Sequence, residues 1–333
     1  MLRRMKVSLG RSLQRVGSSF QSVGRILRGV GGILLNSGNA KHELITRLQR
    51  KLVTRRSRKT SAALTLAGFW ETQALPRAYP PEGEVVGDDS LYAQPPSKVP
   101  RLEDCRFYHV MEIPGYGLMQ GDWDLRQGID DYLGHAPLAG RRVLEIGPAS
   151  GFLTFEMEKR GAHVVAVEVP DDYGWDFVPY PASFMETIYG PRREEQRAVK
   201  NSFWFGHAAH QSKAKLWYGD VYNLPEALGR FDIAVMGSVL LHCHSPLKIV
   251  EQCAMRAGAL VITDLFNPDL AGEPVCRLVP TRENRLWDTW WSFSPEFFVQ
   301  FLEVLGFVNT KVTTHVQYAS ENPSTLFTVV ASI

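Results

Sequence analysis

Two glycines, Gly147 and Gly151, bracket a short run between a predicted strand and a predicted helix. Glycine lets a ligand approach the backbone closely, and the open amides at the start of a helix favour a carboxylate or a phosphate. The run reads Gly-x-x-x-Gly, so it is neither the dinucleotide fingerprint nor the phosphate-binding P-loop. It predicts a ligand-binding turn, with a turn needed only for packing as the alternative.

Two acidic residues follow at the ends of the next two predicted strands. Glu168 comes 21 residues after Gly147, about the separation at which an acid accepts hydrogen bonds from ribose hydroxyls. Asp220, with Val221 beside it, follows the third strand, where a carboxylate can accept from an adenine amino group. Carboxyl ends of parallel strands meet at one sheet edge, where open α/β sheets bind ligands. Jointly the two acids predict a nucleotide-like ligand; singly, each is equally a solvated loop acid.

The elements that must position these residues follow from alternating apolar runs and helical periods after residue 100. Strands are predicted at residues 142–146, 163–167, 215–218, 231–237 and 259–264. Helices are predicted at residues 151–160, 246–256 and 295–305, the last of them capped by Ser294. Residues 310–318 and 324–331 predict an antiparallel hairpin that closes one edge of the sheet.

Two long interruptions, residues 170–214 and 265–293, break this rhythm. Loops at the carboxyl edge of a parallel sheet form the mouth of its site, so both segments are predicted to cap it and to select the substrate. Their aromatic residues either stack on a base or a sugar or pack the loops against the body. These residues are Trp175, Tyr180, Trp204, Trp287, Trp290 and Trp291.

The two ends of the chain differ in charge. Residues 1–60 carry 15 basic residues and one acid, a net charge of +14, and the remainder carries −12. Residues 1–74 are predicted to form a basic, partly helical extension, residues 75–100 a proline-rich linker, and residues 101–333 the main domain. RNA, an anionic membrane surface, an import receptor or no specific partner are all compatible with the extension.

Cysteine usage and hydropathy favour a cytoplasmic protein without a membrane span. Only four cysteines occur and no CxxC pair is present, which is typical of a reducing compartment. The longest charge-free apolar stretch of the basic extension, residues 29–40, has 12 residues, fewer than a bilayer requires. No set of histidines, cysteines and acids has metal-ligand spacing, so no metal site is predicted.

Five features together resemble class I S-adenosylmethionine-dependent methyltransferases: residues 143–151, 231–235 and 239–242, Glu168, and the Gly219-Asp220 step. The resemblance covers roughly residues 120–333. It implies a Rossmann-like α/β fold with a seven-stranded mixed sheet, in which the last-added strand runs antiparallel. It also implies S-adenosylmethionine as the cofactor. The residues implied to bind it are Glu145, Gly147, Ala149 and Gly151 for the methionine part, Glu168 for the ribose, and Asp220 and Val221 for the adenine.

Methyl transfer can be accelerated largely by aligning the acceptor atom with the methyl group, without covalent catalysis by the protein. No nucleophilic side chain is therefore required. A base is optional. The candidates are His242 and His244 at the exit of the fourth strand and Asp264 at the end of the fifth. A histidine that only bonds the backbone at a strand end is the alternative.

A closer similarity, over residues 236–247, 277–280 and 293–307, is to the tRNA wobble-uridine carboxymethyltransferase family. That family uses a carboxylated cofactor held by basic side chains. The run Gly121-Asp122-Trp123-Asp124 has an acid where the motif of that family has a lysine. An uncompensated acid repels the extra carboxylate, so ordinary methyl transfer is expected.

The acidic main domain disfavours a nucleic-acid acceptor. The expected function is therefore methyl transfer to an oxygen or nitrogen of a small molecule or saccharide. An RNA-modifying methyltransferase acting on tRNA uridine and a binding module that lacks the chemistry remain as alternatives.

Overall fold

The structure, a computed structural model, describes residues 66, 68–73, 75, 89–171 and 176–333. The basic residues 1–60 and Trp175 lie outside the described residues. The described parts of residues 62–279 and 287–333 form one compact unit. The turn Pro280–Leu286 is held internally, since the Thr281 hydroxyl accepts from the backbone N–H groups of Glu283 and Asn284.

An eight-stranded mixed sheet lies at the centre of the compact unit. Its strands follow the order β3 (Trp123–Asp124), β11 (Asn309–Ala319), β12 (Asn322–Ser332), β8 (Ala257–Leu265), β7 (Phe231–Gly237), β4 (Arg142–Ile146), β5 (His163–Glu168) and β6 (Lys215–Tyr218). Parallel strands covered on both faces form from continuous apolar runs, as the sequence predicts. These strands are β4 (Arg142–Ile146), β5 (His163–Glu168), β6 (Lys215–Tyr218), β7 (Phe231–Gly237) and β8 (Ala257–Leu265).

The predicted hairpin is confirmed as β11 (Asn309–Ala319) and β12 (Asn322–Ser332), with β12 antiparallel to both β8 and β11. An eighth strand, β3 (Trp123–Asp124), pairs with the end of β11. Seven strands were expected. Two residues are too short a run to produce a strand pattern, which is why the sequence does not predict the eighth.

In the described residues from 89 onward, five α-helices accompany the sheet: α1 (Ile129–Tyr132), α2 (Phe152–Lys159), α3 (Ala182–His210), α4 (Pro246–Ala254) and α5 (Pro295–Val304). Helix α5 begins as predicted, with the Ser294 hydroxyl accepting from the Phe297 N–H at 3.2 Å. Two small antiparallel pairs of strands are also present among the described residues. They are β1 (Met111–Ile113) with β2 (Gly117–Met119), and β9 (Cys276–Leu278) with β10 (Trp291–Phe293).

Helix α3 connects the parallel neighbours β5 and β6, so most of the predicted interruption at 170–214 is a crossover helix. Its 29 residues span about 43 Å, twice the length that β5 needs. The inner half packs Phe203 against Ala166 and Leu216 of the sheet. Lys200 donates to the carbonyl of Val169, one residue past β5, at 2.6 Å. Residues 182–199 therefore project beyond the carboxyl edge of the sheet.

Parts of the predicted extension and linker contact the main domain. Leu66 and Trp70 are buried, and the Trp70 indole N–H donates to the Gly134 carbonyl at 2.8 Å. Tyr92 is buried in the core, and the Ala93 N–H donates to the Leu216 carbonyl of β6. In the described part of the chain, no helix has the length and apolar character to span a membrane.

Candidate cofactor and acceptor site

The turn between β4 and α2 has a left-handed backbone at three of its five residues: φ is 72° at Gly147, 49° at Ala149 and 89° at Gly151. A Cβ at position 147 would lie 2.9 Å from the Val239 side chain, and one at position 151 would lie 2.7 Å from the Phe155 ring. Both glycines are therefore required by backbone conformation and by space. At the carboxyl edge of the sheet, Gly147 and Ala149 are half-buried and the other three residues of the turn are buried.

Glu168 is joined to this turn. Its carboxylate accepts the backbone N–H of Ala149 and, at 2.8 Å, that of Val169. Its own carbonyl accepts the Gly219 N–H at 3.0 Å, which brings Asp220 alongside. Burial raises the pKa of Glu168, while these hydrogen bonds and the Lys200 charge act in the opposite direction. The structure thus brings three separately predicted elements together at one edge.

Asp220 and Val221 lie just past β6. Asp220 Oδ1 accepts the Tyr222 N–H at 2.9 Å, which fixes the carboxylate in a tight local turn. Val221 is half-buried against the core. A carboxylate has about four acceptor sites, so one backbone bond leaves Asp220 able to accept from a ligand.

Glu145, on β4, is almost completely buried, with 1% of its surface exposed. Its Oε2 accepts from the Thr154 hydroxyl, whereas its buried Oε1 has no hydrogen-bond partner among the described residues. Burial raises the pKa of Glu145 to about 8. A buried acid with one unused oxygen below the turn suits a cationic group such as an α-ammonium.

His242 lies in the short 3-10 helix Leu240–His242 after β7. Its Nδ1 pairs with the backbone carbonyl of Asp288, and a carbonyl only accepts, so Nδ1 carries the proton. Burial and the charge of Arg192 lower the pKa of His242, against the charge of Asp288. The neutral ring then has its lone pair on Nε2, the form that a general base needs.

The other two predicted bases have different surroundings. His244 is exposed, and its Nδ1 pairs with the Ser245 hydroxyl at 2.9 Å. Asp264 is buried, with Oδ1 accepting the Leu265 N–H at 2.7 Å and burial raising its pKa to about 7. Strand alternation puts Asp264 on the sheet face opposite Glu145. The three candidates therefore do not form one catalytic cluster.

Asp122 has an ion-pair partner, so the premise of an uncompensated acid in the run at 121–124 was wrong, whereas the expectation of ordinary methyl transfer is not affected. Its carboxylate lies 2.9 Å from the Arg106 guanidinium, which also pairs with Glu195 at 2.7 Å. Glu195 in turn pairs with Arg192 at 2.9 Å. Arg106 lies 16 residues from Asp122 and 89 residues from Glu195, separations that no local sequence pattern indicates. The four charges cancel, and the group offers no surplus positive charge for an additional carboxylate.

Of the two alternatives for the six aromatic residues of the interruptions, packing of the loops applies to four. The indole N–H of Trp290 donates to the Asp176 carbonyl at 2.6 Å, that of Trp291 to the Cys243 carbonyl at 3.1 Å, and that of Trp204 to the Tyr218 hydroxyl at 3.2 Å. Tyr180 packs edge-on against Phe184. Trp287 differs, because the Arg192 guanidinium lies 5.6 Å from the centroid of its ring.

Tyr132 and Ser238 lie beside the end of β7, where no sequence pattern indicated a contact between them. The Tyr132 hydroxyl donates to the Ser238 hydroxyl at 3.0 Å, and its ring covers Gly237, where a Cβ would approach Tyr132 to 2.9 Å. Helix α1 has only four residues and carries no motif, so no signal pointed to Tyr132. Within the described residues, no group of three or more histidines, cysteines and acids is arranged to hold a metal.

Solved structures include chains of similar fold at low identity. The N-terminal domain of EvdMO1, solved in the presence of SAH and D-fucose, is 19% identical over 69% of this chain and 93% of its own, with a TM-score of 0.45. The 1,6-didemethyltoxoflavin-N1-methyltransferase of Burkholderia thailandensis is 15% identical over 62% and 77%, with a TM-score of 0.39.

A third similar structure is the magnesium protoporphyrin IX methyltransferase of Synechocystis PCC 6803, 14% identical over 62% of this chain and 78% of its own, with a TM-score of 0.39. No protein-family model and no curated protein matches the chain. The strand order, with β12 as the antiparallel strand between β8 and β11, defines the Rossmann-like α/β fold of class I methyltransferases.

Proposed function

We propose that the protein is an S-adenosylmethionine-dependent methyltransferase that acts on an oxygen or nitrogen of a small molecule or saccharide in the cytoplasm. One observation carries the proposal. The Ala149 N–H donates to the Glu168 carboxylate, and the Glu168 carbonyl accepts from the Gly219 N–H, so three ligand-binding elements form one hydrogen-bonded edge. A turn needed only for packing has no reason to be joined to the acid at the end of the next strand.

The residues fit the cofactor part by part. Glu145 Oε1, buried and without a partner among the described residues, suits the α-ammonium of the methionine part beside the turn at 147–151. Glu168 retains acceptor capacity for ribose hydroxyls, and Asp220 and Val221 suit the adenine. When bound, the cofactor supplies an electrophilic methyl group on a sulfonium. The protein's own task is then to align the acceptor and to exclude water.

Of the three candidate bases, His242 is the best supported. It is neutral, and the Asp288 carbonyl fixes its ring with the lone pair on Nε2. His244 is exposed, and Asp264 lies on the other sheet face from Glu145. We therefore assign His242 to receive the acceptor proton, with His244 and Asp264 as weaker candidates.

Calorimetric titration with S-adenosylhomocysteine tests the cofactor assignment. Glu168→Gln keeps an oxygen for the Ala149 N–H but removes an acceptor for ribose, so affinity should fall roughly tenfold or more. Glu303→Gln, at an exposed position on α5, is the matched control and should bind as wild type. Equal affinity of Glu168→Gln and wild type would remove Glu168 from the site.

Radiolabelled S-adenosylmethionine with fractionated cell extract tests the chemistry. Wild type should label a small molecule or saccharide, and Gly147→Arg, which fills the turn, should label nothing. Cofactor binding without transfer to any fraction would favour the binding module. Label in RNA that disappears when residues 1–60 are removed would favour the RNA-modifying alternative.

A further inference from the structure

The dipeptide Trp287-Asp288 links the proposed base to an aromatic ring. The Asp288 carbonyl accepts the Nδ1 proton of His242, and the preceding indole of Trp287 lies 5.6 Å from the Arg192 guanidinium. The Trp287 carbonyl accepts the Val178 N–H at 2.9 Å, and its ring contacts Phe177. These contacts fix the Trp287 ring on the loop side of the site, and the adjacent Asp288 carbonyl fixes His242.

Arg192 lies on the projecting half of α3, and an ion pair on the same helix holds its side chain. Glu195, one turn further along the helix, binds its Nη1 at 2.9 Å and is itself bound by Arg106 at 2.7 Å. The Arg192 side chain retains 18% exposure. Its guanidinium lies 5.6 Å from the centroid of the Trp287 ring, and the next residue along the chain, Asp288, holds the base through its carbonyl. The guanidinium is therefore placed near the base.

The surface formed by Arg192 and Trp287, here called the Arg-Trp wall, is close to electrically neutral. The charges of Arg106 and Arg192 are balanced by Asp122 and Glu195, and His242 is neutral. A polyphosphate backbone needs a positive surface, and here the acids Glu168 and Asp220 lie along the same sheet edge. The wall suits a neutral acceptor.

The groups of the wall match a hydroxyl-rich ring. A guanidinium donates hydrogen bonds and a neutral imidazole nitrogen accepts one, while sugar hydroxyls do both. The apolar C–H face of a sugar ring packs on an indole, which offers a large rigid surface. We propose that Arg192 and Trp287 are the specificity-determining residues for the acceptor, and that the acceptor is a saccharide. This inference rests on the proposed methyltransferase function and narrows its substrate class.

The first test is chemical and uses the wild-type protein. Extract fractions that accept labelled methyl groups are treated with periodate, which cleaves vicinal diols, or with ribonuclease. Acceptor activity should be lost after periodate and retained after ribonuclease. Retention after periodate, or loss after ribonuclease, would overturn the saccharide assignment.

The second test uses Arg192→Lys and Trp287→Phe, with Arg193→Lys on the exposed neighbouring residue as the control. Both wall variants should raise KM for the labelled fraction roughly ten- to hundredfold, with a smaller change in kcat, because a fixed hydrogen-bond donor or contact surface is lost. The control should behave as wild type. An unchanged KM in both wall variants would refute the recognition role.

Two further readouts separate this inference from the proposed function. S-adenosylhomocysteine should bind all three variants with wild-type affinity; if it does not bind wild type, the proposed function fails and this inference with it.

In NMR titrations, Arg192→Met should raise the pKa of His242, because Arg192 opposes its protonation while Asp288 favours it. An unchanged His242 titration would place Arg192 away from the base and overturn the wall.

Discussion

Arg106 and Glu195 are 89 residues apart in the chain, yet the Arg106 Nε lies 2.7 Å from Glu195 Oε1. This ion pair joins the segment before the sheet to the projecting half of α3. The Arg106 N–H also donates to the Ala198 carbonyl at 3.0 Å, and the Ser150 hydroxyl accepts the Tyr108 N–H at 3.1 Å. The same segment therefore touches both the long helix and the turn at 147–151.

Arg106→Ala should lower the free energy of unfolding by about 1–2 kcal/mol, because it leaves Asp122 and Glu195 partly buried without their shared partner. Urea denaturation measures the change. Arg126→Ala removes a more exposed pair with Asp124 and should cost less than about 0.5 kcal/mol. Equal costs in the two variants would show that the Arg106 network adds nothing beyond a surface ion pair.

His242→Asn separates positioning from proton transfer. The asparagine amide can still donate to the Asp288 carbonyl but has no basic nitrogen, so kcat should fall roughly 10²–10⁴-fold while S-adenosylhomocysteine affinity is kept. Steady-state kinetics on the labelled acceptor fraction and calorimetry are the measurements. Near wild-type kcat in His242→Asn would mean that the histidine only bonds the backbone.

The buried Glu145 makes stability depend on pH in an unusual direction. Its pKa rises from 4.5 to about 8 on folding, so the folded form holds a proton that the unfolded form releases. The free energy of unfolding should therefore fall as pH rises between these values, by up to about 1.4 kcal/mol per pH unit. Glu145→Gln should be less sensitive than wild type in urea denaturations at about pH 5.5 and about pH 7.5. Identical pH profiles would contradict the buried, protonated carboxyl.

Ala149 adopts a left-handed backbone, with φ 49°, that costs an alanine about 1–2 kcal/mol. Ala149→Gly relieves this strain and keeps the N–H that Glu168 accepts, so it should stabilise the protein by about 1 kcal/mol after the entropy cost of glycine. Ala271→Gly, at an exposed alanine without a left-handed backbone, should destabilise it slightly. Thermal unfolding of both variants tests the sign, and a loss of stability in Ala149→Gly would contradict the strain.

The sequence predicted those parts of the fold that depend on local pattern. Strands β4, β6 and β7 have the predicted bounds, and Ser294 caps α5, because apolar runs and cap residues act over a few positions. The positions of Gly147, Glu168 and Asp220 at one edge followed from the sheet order. The Arg106 network, the pairing of His242 with Asp288 and the two-residue β3 depend on contacts between distant segments, which no local pattern encodes.

Pro191 lies within α3, immediately before Arg192. Proline provides no N–H for the carbonyl of residue 187 and its ring crowds that carbonyl, so the helix is weakest between its outer turns and the Arg-Trp wall. The outer turns, residues 182–190, are instead held by tertiary packing, with Met185 buried and Tyr189 edge-on against Phe177. Arg192, on the other side of the proline, is held by Glu195. Side-chain contacts on both sides of the break therefore offset the missing backbone hydrogen bond.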